Sequence, residues 1–248
     1  MFFRRNTKKT WITPGGDYSV LANKALEAEH TLIAGATGCG KSTFLHAIMQ
    51  ALLVKSSPAE AKLILCDPKE VELKRYAKLP HVLRYETDDD KIVSALKQAI
   101  EIMQGRYKYM AANNQEQWSD GPELYIIVEE LADLMACPMK KDIQITIQRL
   151  TQKGRAAGLH VIAATQAPSR KIIPAEITLN FTARFGLACE SAIESKQIVG
   201  IAGCEELPDH GECIYKYKRS IGRYVLPYVQ KKDVLPLINY WTSGKCIA

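Results

Sequence analysis

The fold of this chain is decided by one stretch, Gly35-Ala36-Thr37-Gly38-Cys39-Gly40-Lys41-Ser42, which matches the pattern G-x-x-x-x-G-K-[ST]. An apolar run, Thr31–Ala34, precedes the stretch, and a helical pattern follows from Lys41. Glycines in such a loop let backbone N–H groups turn toward phosphates, while the lysine supplies a positive charge and the serine hydroxyl binds Mg²⁺. The alternative is a glycine-rich turn without a ligand. The predicted nucleotide-binding residues are Gly35, Ala36, Thr37, Gly38, Cys39, Gly40, Lys41, Ser42 and Thr43.

Apolar runs of strand length alternate with helical patterns on both sides of this loop. Strands are predicted at Thr31–Ala34, Lys62–Cys66, Val82–Tyr85, Leu124–Val128, His160–Ala164 and Ala183–Cys189. Helices are predicted near residues 41–54, 70–77, 88–111, 142–157 and 191–199. This alternation is typical of a parallel sheet covered on both faces, so the predicted fold class is α/β with a mostly parallel central sheet flanked by helices. A C-terminal β-hairpin, Glu212–Tyr217 with Gly222–Val229, and a short helix over Lys232–Trp241 are predicted to follow.

Length and composition favour one folded domain. Residues 1–30 are predicted to be a polar N-terminal lead-in with a turn at Pro14-Gly15-Gly16-Asp17, and residues 31–248 are predicted to be one domain that contains the phosphate-binding loop. The net charge of +6 permits contact with nucleic acid but does not require it. Seven cysteines without a C-x-x-C pair indicate a reduced compartment rather than disulfides or zinc. No run of about 18 apolar residues occurs, so we expect a cytoplasmic protein without direct membrane insertion.

Acidic residues end one of the predicted strands. Glu129 and Glu130 directly follow the apolar Tyr125–Val128, at the strand end where open α/β sheets place ligands. One carboxylate, Glu129, can hold Mg²⁺ through water, and the next, Glu130, can act as the base for an attacking water. The alternative is that both only open a loop. With the inserted strand Lys62–Cys66, this layout favours a RecA-like P-loop NTPase of the motor type over a small kinase.

Two further polar residues are candidates for roles in hydrolysis. Gln166 follows the strand His160–Ala164 and can sense the γ-phosphate, although a polar residue there is usually only part of a loop. Arg155 is predicted on the exposed face of the helix 142–157, opposite Ile147 and Leu150. From there it can reach the nucleotide of a neighbouring subunit as an arginine finger. A solvated arginine at a helix C-terminus is an equally good interpretation.

Several stretches match one family in the same order along the chain. They are Leu65-Cys66-Asp67-Pro68-Lys69, Glu72-Leu73, Pro80-His81, Arg106-Tyr107, Met110-Ala111, Ile127 through Met135, Arg149 through Gln166, Pro168-Ser169, Thr182-Ala183-Arg184, Gly211-Glu212 and Tyr228–Trp241. Together with Gly35–Ser42 they resemble the motor domain of FtsK/SpoIIIE DNA translocases over about residues 10–243.

This resemblance implies ATP-driven movement along double-stranded DNA by a hexameric homo-oligomer with nucleotide between subunits. It implies Lys41 and Ser42 on phosphate and Mg²⁺, Glu130 as catalytic base, Arg155 as finger and Gln166 as sensor. Glu129 departs from the family, which usually has Asp there. The family's membrane-spanning part, linker and winged helix have no counterpart in this sequence. Its size therefore resembles motors encoded by mobile elements, plasmids or phages, which serve DNA transfer, with a membrane or loading protein as a further partner.

DNA contact is expected from basic residues that lie near the nucleotide. Candidates are Lys140 and Lys141, after the acidic strand, and Arg170 and Lys171, after the Gln166 strand. Such residues grip the phosphate backbone independently of base sequence, although most lysine pairs are only solvated surface. Two other functions stay open at this point. One is an ATPase module for protein secretion, and the other is a nucleotide-binding module with little turnover.

Overall fold

The computed structural model describes residues 19–166, 169 and 172–243. Among these residues, every helix is too short or too polar to span a lipid bilayer. The strands are β1 (His30–Ala34), β2 (Ala61–Cys66), β3 (Val82–Glu86), β4 (Glu123–Val128), β5 (Leu159–Thr165), β6 (Ala183–Gly186), β7 (Glu212–Tyr217) and β8 (Ser220–Val225). The α-helices are α1 (Ser19–Glu27), α2 (Lys41–Lys55), α3 (Asp89–Ala112), α4 (Leu131–Ala136), α5 (Lys140–Lys153), α6 (Ala175–Asn180), α7 (Ala192–Ile198) and α8 (Lys231–Ser243).

The strands form one eight-stranded sheet in the order β3-β2-β4-β5-β1-β6-β7-β8. The first six strands of this order are parallel, and β7 and β8 continue the sheet antiparallel. All six parallel strands therefore end on the same side. We call this side the carboxyl end of the sheet, and the side where they begin the amino end. The predicted fold class, with a mostly parallel sheet, a C-terminal hairpin and a short final helix, is confirmed.

Helices cover both faces of the sheet, which explains why the parallel strands are apolar throughout. Successive residues of β1 show the division, since Leu32 packs in one cluster and Ile33 in the other. Helices α1, α2 and α8 pack on the Ile33 face, and α3, α4, α5 and α6 on the Leu32 face. The parallel strands thus hold the residues that follow them in fixed positions at the carboxyl end.

Two predicted elements differ from the structure near the carboxyl end. The sixth strand ends at Gly186, not at Cys189, because the next residues leave the sheet and the Ala188 carbonyl accepts a hydrogen bond from the Ala36 N–H at 2.8 Å. The helix predicted near residues 70–77 is wrong, since only Lys74–Tyr76 forms a 3₁₀ turn. Asp67 accepts a hydrogen bond from the Leu73 N–H at 3.0 Å and closes the preceding segment as a loop.

The predicted helix 142–157 is also too long. Helix α5 ends at Lys153, where Gly154 lies so close to the Leu150 carbonyl that an added Cβ would be 2.5 Å from it. Arg155–Ala157 continues as a 3₁₀ turn that ends at Gly158, with a φ of +66°. Helix α1 lies within the predicted lead-in 1–30, for which no helix was predicted, and packs against α2. The turn predicted at residues 14–17 lies outside the described residues, and the domain boundary at residue 30 stays a prediction.

Candidate active site

The loop between β1 and α2 has the shape of an anion cradle. Gly38 and Gly40 have φ values of +81° and +101°, which L side chains rarely adopt, and the space where their Cβ atoms would lie is open. On the opposite side the loop is tightly packed, because a Cβ on Gly35 would lie 2.8 Å from the Leu187 Cβ. The open side of the loop therefore meets the N-terminus of α2, where N–H groups favour a bound phosphate.

Lys41 already points into this loop. Its Nζ donates hydrogen bonds to the Gly35 carbonyl at 2.7 Å and to the Ala36 carbonyl at 2.6 Å. Burial lowers the pKa of Lys41, because desolvation disfavours the ammonium charge. The negative charge of a phosphate bound in the loop would favour the charged ammonium and oppose this lowering of the pKa of Lys41. Ser42 and Thr43 directly follow Lys41 on the first turn of α2, and both are half-buried.

Glu130 is held rigidly at the end of β4. It is 2% exposed, and its two carboxylate oxygens accept hydrogen bonds from the Gln166 N–H at 3.0 and 3.2 Å. It also caps α4 by accepting the Ala132 N–H at 3.3 Å. These contacts fix the carboxylate beside the neighbouring strand β5. A carboxylate fixed in this way suits a general base, whose action depends on its geometry.

Gln166 connects this carboxylate to the phosphate-binding loop. Its backbone N–H donates to Glu130, and its side-chain Oε1 accepts a hydrogen bond from the Thr37 hydroxyl at 2.7 Å. The structure therefore brings together three sequence-predicted site residues, Thr37, Glu130 and Gln166, in one continuous hydrogen-bonded chain.

Glu129, the other acidic residue after β4, lacks hydrogen-bond partners for part of its carboxylate. Its Oε2 is buried and has no hydrogen-bond partner among the described residues. Burial raises the pKa of Glu129 to about 7; the charges of Asp67, Glu130 and Glu72 raise it further, while Lys69 opposes them. Buried polar atoms without partners are rare in folded proteins and often mark the place of a ligand.

Asp67 is a site residue that sequence reasoning did not assign. It follows β2, the neighbour of β4, is fully buried, and its Oδ1 has no partner among the described residues. Its signal was an acidic residue directly after a buried strand, the same signal that selected Glu129 and Glu130. The orphaned oxygens of Asp67 and Glu129 suit Mg²⁺, which prefers oxygen ligands and keeps several waters.

These residues would hold Mg²⁺ only together with the nucleotide. Among the described residues, no group of three or more His, Cys, Asp and Glu side chains could bind a metal alone. Ser42, Glu129 and Asp67 would hold the ion directly or through water, with phosphate oxygens completing its coordination. The donor set therefore fits the predicted cofactors, ATP and Mg²⁺.

Lys69 is a second residue that the sequence did not assign. Its Nζ lies 3.7 Å from Glu130 Oε2 and 3.1 Å from Asp133 Oδ2. The ammonium thus neutralises part of the negative charge of the carboxylates at this end of the sheet. Only its place two residues after Asp67 could have indicated this position from the sequence.

Arg155 lies at the amino end of the sheet, away from these residues. The seven residues of β5 separate it from Gln166, which at about 3.3 Å per residue corresponds to roughly 20 Å. An arginine side chain does not span that distance, so Arg155 does not reach the nucleotide site of its own chain. Instead its guanidinium forms an ion pair with Glu29, with an Nη1 to Oε1 distance of 3.0 Å.

The candidate DNA-binding residues are described only in part. Lys140 and Lys141 begin α5, are exposed, and have no ion-pair partner among the described residues. Because α5 returns toward the amino end, where β5 begins, its first turn lies on the carboxyl side of the sheet. Arg170 and Lys171 lie outside the described residues.

The sheet order and this site define a class of protein. The P-loop follows β1, the acidic pair follows β4, and β5 between them ends in the polar residue that joins the two. This arrangement is that of a RecA-like P-loop NTPase, in which one strand separates the phosphate loop from the catalytic carboxylate.

Comparison with known proteins identifies the family. The FtsK/SpoIIIE family model matches residues 15–124 and 114–170. The chain is 35% identical over 235 residues to DNA translocase FtsK of Staphylococcus epidermidis, a match that covers 86% of this chain and 29% of that protein. It is 38% identical over 200 residues to DNA translocase SftA of Bacillus subtilis, covering 75% and 21%. The chain therefore belongs to the FtsK/SpoIIIE family, as its motifs predict, and spans less than a third of the length of these relatives.

Solved structures share the fold. The pCW3 conjugation coupling protein TcpA in its monomer form with ATPγS has a TM-score of 0.78 at 20% identity, covering 89% of this chain and 66% of that one. The cytoplasmic domain of the Type VII secretion ATPase EccC of Thermomonospora curvata has a TM-score of 0.71 at 24% identity, covering 82% and 26%. These likenesses confirm the predicted fold, that of a P-loop NTPase.

Proposed function

We propose that this chain is an ATP-hydrolysing motor that moves double-stranded DNA through a ring of six copies. One observation carries the proposal. The carboxyl end of the sheet holds a P-loop, a fixed carboxylate and a polar relay, whereas the arginine suited to complete the site lies roughly 20 Å away at the amino end. Arg155 can act on a bound nucleotide only if the amino end of one copy contacts the carboxyl end of the next copy.

The residues at the carboxyl end have distinct roles in this reaction. Backbone N–H groups of the P-loop and Lys41 bind the phosphates. Ser42, Glu129 and Asp67 would hold Mg²⁺, which supplies positive charge that offsets the charge of the phosphates. Glu130 orients a water toward the γ-phosphorus and accepts its proton on a carboxylate oxygen. Gln166 changes partners when the γ-phosphate leaves, because the Thr37 hydroxyl joins it to the loop.

The subunit arrangement follows from the same division of parts. Head-to-tail contact between identical copies gives heterologous interfaces, which close into a ring when the rotation between copies permits. Each interface would then contain the P-loop of one copy and Arg155 of the next. The number six comes from the family resemblance.

Duplex DNA is the proposed cargo, contacted by Lys140, Lys141, Arg170 and Lys171. Lys140 and Lys141 are exposed at the carboxyl side, near the residues that change during hydrolysis. The relatives with the names DNA translocase FtsK and SftA support this cargo. The likeness to a conjugation coupling protein favours DNA transfer by a mobile element, plasmid or phage. We place this motor in the cytoplasm, with a membrane or loading protein as its partner.

ATP turnover with and without linear duplex tests the cargo. We expect duplex to raise turnover at 50 mM salt and to raise it less at 200 mM salt, because each phosphate contact releases counterions. Lys41→Ala is the control for turnover that depends on the P-loop. Turnover that rises with an exported protein, and not with duplex, would replace DNA by a protein cargo.

Mixing two inactive variants tests the shared site. Lys41→Ala lacks the P-loop lysine but keeps Arg155, and Arg155→Ala keeps the P-loop but lacks the arginine. Each alone is expected to be nearly inactive, and their mixture is expected to recover part of the turnover at interfaces that combine the two intact residues. A full rate for a strictly monomeric protein would end the proposal.

A further inference from the structure

Glu29 is a buried carboxylate that the reaction at the chain's own nucleotide site does not use. It lies directly before β1 at the amino end and is 7% exposed. Its Oε2 accepts a hydrogen bond from the Thr182 hydroxyl at 2.7 Å and lies 3.5 Å from the Tyr217 hydroxyl. Its Oε1 lies 3.0 Å from Arg155 Nη1 and 3.9 Å from Lys218 Nζ. The two oxygens therefore have different partners, hydroxyls on one side and cations on the other.

This arrangement keeps the carboxylate ionised and oriented. Burial by itself raises the pKa of Glu29, but the hydrogen bond from Thr182 and the charges of Arg155 and Lys218 lower it overall. Removing one partner of such a cluster leaves a buried charge without compensation. The hydroxyls hold Oε2 in place, so Oε1 is presented to Arg155 from a fixed position.

Arg155 needs a support of this kind. Its side chain is 65% exposed, and Glu29 is its ion-pair partner among the described residues. A guanidinium carries five N–H donors, so this contact leaves others free for an incoming anion. A long exposed side chain otherwise samples many rotamers, and ordering it on contact with a substrate slows the reaction that needs it.

We propose that Glu29 is a positioning residue, which holds the guanidinium of Arg155 ready for the nucleotide of the adjacent copy. This inference rests on the proposed function, in which Arg155 acts in the neighbouring site. Glu29 does not touch the substrate and acts only through Arg155. The contacts from Thr182 and Tyr217 also connect this support to β6 and β7, so the arginine is aimed by the sheet itself.

The first test is Glu29→Gln, which removes the charge and keeps the shape of the side chain. We expect kcat for ATP in the assembled protein to fall roughly tenfold while KM for ATP changes less than about twofold, since the P-loop is untouched. Glu27→Gln is the matched control at the same helix end, where the side chain is 70% exposed and its pair with Lys55 is 3.7 Å long. Its kcat is expected to equal that of the wild type.

The second test is a double-mutant cycle. If Glu29 acts only through Arg155, then Glu29→Gln lowers turnover no further in an Arg155→Ala background. Additive losses would overturn the inference. Thr182→Val removes the hydroxyl that orients Glu29 without removing any charge, and it is expected to lower kcat roughly threefold with the same unchanged KM.

The third test separates a positioning role from support of the fold. In a mixture with Lys41→Ala, a Glu29→Gln copy supplies an intact P-loop that faces a normal Arg155, so turnover per intact P-loop should recover. No recovery would mean that Glu29 serves its own site, and the inference would fail. A full rate for Arg155→Ala would instead defeat the proposed shared site. A loss for Arg155→Ala without a loss for Glu29→Gln would defeat only the positioning role.

Discussion

Two regions of the molecule differ in how they hold particular buried carboxylates, Glu129 and Asp67 at the carboxyl end of the sheet and Glu29 at the amino end. At the carboxyl end, Glu129 and Asp67 each keep a buried oxygen that has no partner in the part of the chain that the structure describes, and burial raises the pKa of Glu129 to about 7. At the amino end, both oxygens of Glu29 have partners and its pKa is lowered. The comparison teaches that Glu129 and Asp67 have oxygens left to bind a ligand, whereas Glu29 already has partners for both of its oxygens.

The largest expected effect comes from the most rigid carboxylate of the carboxyl end. Glu130→Gln keeps an oxygen that can accept the Gln166 N–H but removes the base, so we expect turnover to fall roughly 100-fold or more. Binding of a fluorescent ATP analogue should change little, because the P-loop is intact. Steady-state hydrolysis and equilibrium titration measure the two quantities. An unchanged rate would remove Glu130 from the chemistry and weaken the contrast between the two ends.

Lys69 gives a smaller effect at the same end. Lys69→Met keeps the length of the side chain but removes the ammonium 3.7 Å from Glu130 and 3.1 Å from Asp133. We expect kcat to fall about tenfold, since the base loses one of the contacts that orient it. Lys74→Met is the matched control, because the exposed Glu70 is the sole ion-pair partner of Lys74 among the described residues. Equal rates for both variants would show that the backbone contacts alone hold Glu130.

The smallest effect concerns a carboxylate near the carboxyl end that is satisfied. The hydrogen bond from His46 lowers the pKa of Glu72 to about 2, against the effect of burial and with help from Lys231. Glu72→Gln is therefore expected to lower the free energy of unfolding by about 1 kcal/mol at pH 7. Urea unfolding of the nucleotide-free protein measures this difference.

The pH dependence of that difference has a definite sign. The folded-state pKa of Glu72, about 2, lies below its usual value of 4.5. The ionised carboxylate thus stabilises the fold fully above pH 4.5, and the stabilisation is lost as the pH falls through 2. The gap between wild type and Glu72→Gln should be constant from pH 7 to 5 and shrink below. The exposed Glu70→Gln should show no gap, and a gap that widens in acid would contradict the assignment.

Much of the fold could be predicted because buried strands and the P-loop leave strong local signals. Runs such as Leu124–Val128 are apolar throughout, and the bounds of β1 to β5 lie within one residue of the predicted strands. The predicted bounds of β6 and β8 differ more, since β6 ends at Gly186 and β8 spans Ser220–Val225. The order of the strands could not be predicted in this way, since it depends on contacts between distant segments. Helix α1 did leave a signal, the buried Leu21, Ala22, Ala25 and Leu26 at helical spacing, which the polar character of the lead-in outweighed.

The candidate site could be predicted where a residue's role depends on its place after a strand. Glu129, Glu130 and Gln166 each follow a core strand, and the structure brings them to one end of the sheet. The contact between Arg155 and Glu29 joins two residues that are far apart in the sequence, so no local pattern contains it. The second hairpin strand was predicted from Gly222 but begins at Ser220. The turn lies earlier because Lys218 adopts a φ of +54°, which a lysine in the sequence does not indicate.

Strand β6 has a mechanical consequence. It is only four residues long, which corresponds to roughly 13 Å, and each of its flanking segments meets one of the two ends compared above. Beyond its last residue, the Ala188 carbonyl accepts a hydrogen bond from the P-loop, and Leu187 packs tightly against Gly35. Before its first residue, the Thr182 hydroxyl donates a hydrogen bond to Glu29. Strand β6 therefore links the P-loop to the residue that orients Glu29. Under the proposed function, we expect a displacement of the loop on phosphate release to be transmitted along this strand to Arg155.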